Sequence, residues 1–166
     1  MEFREMRRPR QNLAEAECIR TLERSTSGVL AVLGDGGYPY TVPLSYVYFD
    51  GALYFHCAKA GHKLDAVRSC DKASFCVIDQ DLVVPEKYTT LYRSVIAFGR
   101  VSILENEAEI CAAIEKLAVK YAPGDSKENR DAAIARELSA LCMIKMEIEH
   151  MTGKEAIELV RQRMGK

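Results

Sequence analysis

The chain has 166 residues, with 23 lysines and arginines against 24 aspartates and glutamates, for a net charge of -1. That length suits a single domain over 1–166 with a core large enough to fold without staples. The near-neutral balance excludes a general electrostatic pull toward nucleic acid or an anionic membrane, so any bound anion must be caught by a local arrangement.

Residues 1–10 are polar and basic, lacking the apolar centre of a signal peptide, and read as a solvated arm. Residues 12–23 are predicted to be a helix capped by Asn12, with Leu13, Ala16, Ile19 and Leu22 on one stripe. Residues 29–33 are continuously apolar, the pattern of a strand covered on both faces. Asp35-Gly36-Gly37 reads as a turn, and 38–49 as one long strand. Pro39 and Pro43 cannot donate to a ladder, so that strand belongs at an edge or carries a bulge. Asp50-Gly51 is a two-residue hairpin signal, returning through a strand at 52–56.

Residues 61–68 are expected to be a short helix with Leu64 and Val67 inward, followed by a strand at 72–79 and a loop at 80–90 around Pro85. A long alternating strand covers 92–104. A helix over 107–121 carries Ile110, Ile114, Leu117, Ala118 and Tyr121 at helical spacing. A polar, helix-prone stretch then runs to about residue 139. Residues 142–150 alternate cleanly as a strand, and an amphipathic helix at about 154–164 uses Ala156, Ile157, Val160 and Met164. The total is six strands with hairpin links and flanking helices, a mainly β antiparallel class, and long strands of this kind often close into a barrel.

Six cysteines, at 18, 57, 70, 76, 111 and 142, form no C-x-x-C pair and no zinc spacing. They read as reduced thiols, no metal is expected, and the location is expected to be cytoplasmic. No run approaches the ~18 apolar residues of a membrane-spanning helix. No nucleophile elbow, Walker loop, zinc-protease motif or dinucleotide fingerprint occurs.

Chemistry gathers instead in His56-Cys57-Ala58-Lys59-Ala60-Gly61-His62-Lys63, where a strand end meets a helix start. Unpaired N–H groups at a helix N-terminus favour phosphate, and Lys63 adds a mobile charge. A polar turn that merely caps the helix is the alternative. His56 could bind phosphate, orient a substrate or ligate a metal, or simply hydrogen-bond the backbone. His150 ends an alternating strand and reads as structural.

Three segments carry a family resemblance. Gly37-Tyr38-Pro39-Tyr40-Thr41-Val42-Pro43-Leu44-Ser45-Tyr46, then Leu53-Tyr54-Phe55-His56-Cys57-Ala58 with Gly61-His62-Lys63-Leu64, and Tyr88-Thr89-Thr90-Leu91-Tyr92-Arg93-Ser94-Val95-Ile96-Ala97-Phe98-Gly99 come in matching order and spacing. Together they resemble the pyridoxamine 5′-phosphate oxidase-related FMN-binding split β-barrel proteins, nearest to the nitroimidazole-resistance branch. The resemblance implies a six-stranded antiparallel split barrel that dimerises with FMN at the dimer interface. It implies that Thr41, Val42, Pro43, Leu44 and Ser45 run along the flavin ring. It also places His56, Cys57 and Ala58 beside the flavin, and His62 and Lys63 at the phosphate. Gly61-His62 stands where the oxidases carry a Ser-Arg pair. Arg93 and Ser94 fall where they carry Arg-Gln, whose glutamine touches the flavin, so both are expected at the cofactor, Ser94 with a shorter side chain. The activity implied is FMN-dependent reduction of small electron-poor substrates such as nitroaromatics, with NAD(P)H as a possible donor. A non-catalytic flavin module, or a haem-binding barrel using His56 or His150, are the alternatives.

Overall fold

The computed structural model describes residues 2–165. One antiparallel sheet runs in the order β2-β1-β5-β6-β7-β4-β3. Its strands are β1 Ser27–Leu33, β2 Pro39–Ser45, β3 Val47–Phe49, β4 Ala52–Ala58, β5 Lys72–Val84, β6 Thr89–Ile103 and β7 Leu141–Glu155. Five helices flank it: α1 Glu15–Arg24, α2 His62–Ser69, α3 Glu107–Tyr121, α4 Lys127–Glu137 and α5 Ile157–Arg163. The expected class, mainly β with flanking helices, is observed. The count of six strands is corrected to seven, and the ladder is not closed by hydrogen bonds.

The seventh strand arises at Tyr46, which divides the stretch 38–49 into β2 and β3 on opposite edges of the sheet. One residue separates them, so the two edges come within roughly 7 Å at this corner. The sheet therefore rolls around its core without completing the ladder. Tyr46 is fully buried and pinned from three directions. Its hydroxyl donates to the Leu22 carbonyl at 2.8 Å, and its N–H donates to the Tyr121 hydroxyl at 2.9 Å. The Tyr121 hydroxyl in turn donates to the Thr26 carbonyl. Lys120 lies over the Tyr46 ring, 4.1 Å from its centroid, and donates to the Leu22 carbonyl at 3.3 Å.

Burial pulls the Lys120 ammonium down to about 8. The unfolded chain therefore binds more protons than the folded one above that pH, so this group makes stability rise as pH climbs past 8. Cys18 and Cys57, both pushed up to about 11 by burial, act oppositely once unfolded thiols ionise near 9. Thermal melts of wild type should thus show a gain confined to about pH 8–9, which Lys120→Met should abolish. A gain of equal size in the variant would contradict this assignment.

The remaining differences from the sequence reading have local causes. Asn12 does not cap α1: the Leu13 N–H donates to the Gly153 carbonyl at 3.0 Å and Asn12 bridges to Lys154, so helix begins only after Ala14. β1 is covered on one face only, because Leu30 and Val32 are buried while Val29 and Leu33 are 37% and 46% exposed with no helix over them. The segment 80–90 is mostly strand. Pairs from Gln80↔Arg93 to Val84↔Thr89 extend the β5–β6 hairpin, Pro85 falls past the last pair, and Tyr88 closes the turn at φ 47°. β7 continues through Thr152-Gly153, where a Cβ on Gly153 would lie 2.4 Å from the Cys18 Sγ. Glycine there answers close approach by α1 and marks no break. On α5, Met164 is exposed and Leu159 joins Val160 and Ala156 in the interior.

Two apolar clusters organise the interior. The larger lies within the roll and includes Leu22, Leu30, Leu53, Phe55, Phe75 and Val95. The second, under α3, joins Ala113, Ile114 and Leu117 to Ala52, Tyr54 and Met143. β4 therefore has both faces covered along its first four residues and is exposed only from His56 onward. Among the described residues, no helix is long and apolar enough to cross a membrane.

Candidate functional site

The Gly34 N–H donates to the Tyr38 carbonyl at 2.8 Å, which makes Leu33↔Pro39 a pair without mutual hydrogen bonds. Alternation along the ladder extends that status to Ala31↔Thr41, Val29↔Pro43 and Ser27↔Ser45. Tyr40, Val42 and Leu44 consequently spend their backbone groups on β1. The N–H groups of Thr41 and Ser45, with the carbonyls of Thr41, Pro43 and Ser45, point off the sheet edge. The prolines sit where a missing N–H costs the ladder nothing. The result is a row of free donors and acceptors along β2, the edge predicted from Pro39 and Pro43.

Helix α2 starts beside this edge. Gly61 precedes it at φ 130°, a backbone conformation that side chains disfavour, and no side chain caps the helix. The His62 ring stacks on Tyr40, with centroids 4.1 Å apart and planes at 23°. Its Nε2 lies 3.7 Å from a carboxylate oxygen of Asp35 in the preceding turn. This contact brings the α2 N-terminus against β2. Lys63, half-buried, faces the Cys57 side of β4: burial pushes the Cys57 thiol up to about 11 while the Lys63 charge pulls it back.

The rest of the predicted set is dispersed. His56 is exposed and lies with Ala58 on a groove of about 450 Å³ between β4, α3 and α4, lined also by Leu117, Ile134 and Glu137. Since successive strand residues face opposite ways, the His56 side chain leaves β4 on the other side from Cys57. Arg93 is engaged elsewhere. Its guanidinium donates to Asp79 at 3.3 Å and to the buried Glu155 at 3.2 Å. Arg24 holds Asp79 from the far side, and Arg163 holds Glu155. Ser94 pairs with Ile78 and Lys154 on the outer face of the sheet.

That outer face mixes exposed apolar side chains with small polar ones. One cross-strand row runs Pro43, Val29, Cys76, Ile96, Thr152, and the next runs Thr41, Ala31, Ser74, Phe98, His150. Phe3 from the N-terminal arm stacks on His150 at 4.5 Å and packs on Phe98. The His150 Nε2 is buried without a partner among the described residues. Among the described residues no cluster of His, Cys, Asp and Glu could hold a metal ion. Sequence reasoning missed Tyr40 and Asp35 as neighbours of His62, and Glu155 as the partner of Arg93. None of these contacts is local, so no spacing announces them.

Residues 14–155 match the pyridoxamine 5′-phosphate oxidase family, and the chain belongs to that family. No curated protein sequence matches significantly. Similar solved structures include a conserved hypothetical protein from Mycobacterium tuberculosis, 17% identical with a TM-score of 0.80, covering 98% of this chain and 94% of that one. A candidate 5-nitroimidazole antibiotic resistance protein from Bacteroides thetaiotaomicron is 18% identical with a TM-score of 0.74, covering 87% and 86%. An FAD-binding protein from Mesorhizobium loti is 24% identical with a TM-score of 0.64, covering 88% and 97%. At these identities the likeness is one of fold.

Proposed function

We propose that this chain binds FMN as a homodimer and reduces small, flat, electron-poor substrates such as nitroaromatics. The observation that carries the reading is the His62–Tyr40 stack, which joins the free edge of β2 to the uncapped N-terminus of α2. A flavin ring is planar and edged with alternating donors and acceptors, and the free groups of Thr41, Pro43 and Ser45 suit it. A phosphate suits the N–H groups opening α2, with Lys63 supplying charge. Asp35 is almost fully exposed, so water screens its opposing charge. When bound, the cofactor would supply the electron transfer. The chain's residues bind, orient and desolvate.

Membership in the oxidase family and the FAD-binding relative from Mesorhizobium loti both support a flavin. The nitroimidazole-resistance relative supports the substrate class. The exposed apolar side chains of the outer face support the dimer, because a second copy would cover Val29, Ile78 and Ile96 beside Thr41 and Pro43. NAD(P)H is the proposed donor. His56 would act on a substrate only from the α3–α4 groove.

An absorption spectrum of the purified protein after incubation with FMN tests the reading. Flavin bands retained through gel filtration, at the mass of a dimer, support it. Turnover of a nitroaromatic with NAD(P)H supports the activity. A protein that stays colourless in excess FMN overturns it, and a Soret band replaces it with haem binding. Bound flavin that NAD(P)H cannot reduce leaves a non-catalytic flavin module.

A further inference from the structure

We propose that Cys57 and Cys142 form a cross-strand disulfide when the protein meets a peroxide. The two are direct partners in the antiparallel register of β4 and β7. The Leu104 N–H donates to the Met143 carbonyl at 2.9 Å, so Met143 bonds toward β6, and its neighbours Cys142 and Ile144 bond toward β4. Cys57↔Cys142 is therefore a hydrogen-bonded pair, with Cα atoms about 5.5 Å apart in regular geometry. Disulfides span Cα separations of roughly 4.4–6.8 Å. Direct partners share a face, and both side chains pack against the main core. The Cys142 Sγ donates to the Met143 carbonyl at 3.9 Å. Cys76 pairs with Val29 and Ile96, while Cys18, Cys70 and Cys111 lie outside the strands, so no other two cysteines are ladder partners among the described residues.

Both sulfurs belong to residues that line surface grooves, Cys57 the one between β4, α3 and α4. Cys142 lines a surface groove of about 460 Å³ with Lys59, Arg68 and Leu141. Burial pushes the Cys57 thiol up to about 11, which leaves Cys142 to meet the oxidant first. The Cys142 sulfur attacks one peroxide oxygen, the O–O bond breaks, and a sulfenic acid forms as water leaves with the thiol proton. The Cys57 sulfur then attacks the sulfenic sulfur. The S–S bond forms, the S–O bond breaks, and the departing hydroxide takes the Cys57 proton as a second water. Two thiols lose two electrons, and one peroxide becomes two waters. The bridge ties the end of β4, just before the turn leading to Lys63, to the start of β7.

The test uses the full chain without added cofactor, so it stands or falls independently of flavin binding. After equimolar hydrogen peroxide, remaining thiols are alkylated in denaturant and the peptides are mapped. The expected result is one link between the Cys57 and Cys142 peptides, a mass loss of about 2 Da, and full reversal by a thiol reductant. Closing so long a loop should raise Tm by roughly 5 °C or more. Cys57→Ser and Cys142→Ser should each abolish both the link and the rise. Alkylation of both residues after other cysteines have oxidised would overturn the proposal, as would sulfinic acids in place of the link. The wild-type peptide map decides the matter even if a variant folds poorly.

Discussion

Replacing Arg93 with methionine is expected to lower stability by about 3 kcal/mol, read as a shifted urea midpoint at unchanged slope. The reason is the company Arg93 keeps. Glu155 is 1% exposed and Asp79 is 10% exposed, and one guanidinium serves both. Removing it leaves Glu155 with only Arg163, which is 60% exposed, and Asp79 with only Arg24. A buried carboxylate that loses a partner keeps its desolvation cost and forfeits the compensating attraction. Both carboxylates retain one cation, which sets the expectation at the low end of such losses.

The same network has a signature in acid. Hydrogen bonds from Arg24, with a smaller share from Arg93, hold the Asp79 carboxyl below its ordinary 3.8. A carboxyl depressed in the folded state contributes stability that is present above pH 3.8 and disappears as pH falls through the folded value. Arg93→Met should therefore bring acid unfolding to higher pH. Its flavin affinity should change less than that of a Lys63 variant, because Arg93 spends its donors on the two carboxylates. A large loss of flavin binding with wild-type stability would reverse that assignment.

Local chemistry was legible in the sequence wherever one short segment decides it. Asp50-Gly51 marked its hairpin, and both residues take positive φ. Helix α3 spans the 107–121 expected from its apolar spacing, with Asn106 capping it through the Glu109 N–H. The prolines of β2 announced an edge or a bulge, and the strand lies at an edge. What stayed hidden depends on residues far apart in the chain. Tyr46 reads as one more tyrosine in a β-rich run until α1 and α3 arrive to hold its hydroxyl and N–H. The polar start of 80–90 hid a strand that forms because Thr89 to Arg93 lies opposite. Within the candidate site, the motif from His56 to Lys63 was visible as a unit. Strand alternation and the turn into α2 then send His56 to one side and Lys63 to the other.

Lys63→Ala should weaken FMN binding by about tenfold or more, the loss of one charge-assisted hydrogen bond to phosphate. Binding should not vanish, since the α2 N-terminus keeps its free N–H groups. Lys63 is the only lysine or arginine in the opening turn of α2, and the neighbouring His62 ring is stacked on Tyr40. For the same reason the wild-type affinity should fall with added salt more steeply than the variant's. A second readout requires no flavin. Lys63 is the cation that offsets burial at Cys57, so its removal should raise the Cys57 thiol further and slow its alkylation at pH 8–9. Slower alkylation together with weaker FMN binding places Lys63 at the phosphate. Slower alkylation with unchanged affinity leaves Lys63 where the structure has it and moves the phosphate to another part of the chain.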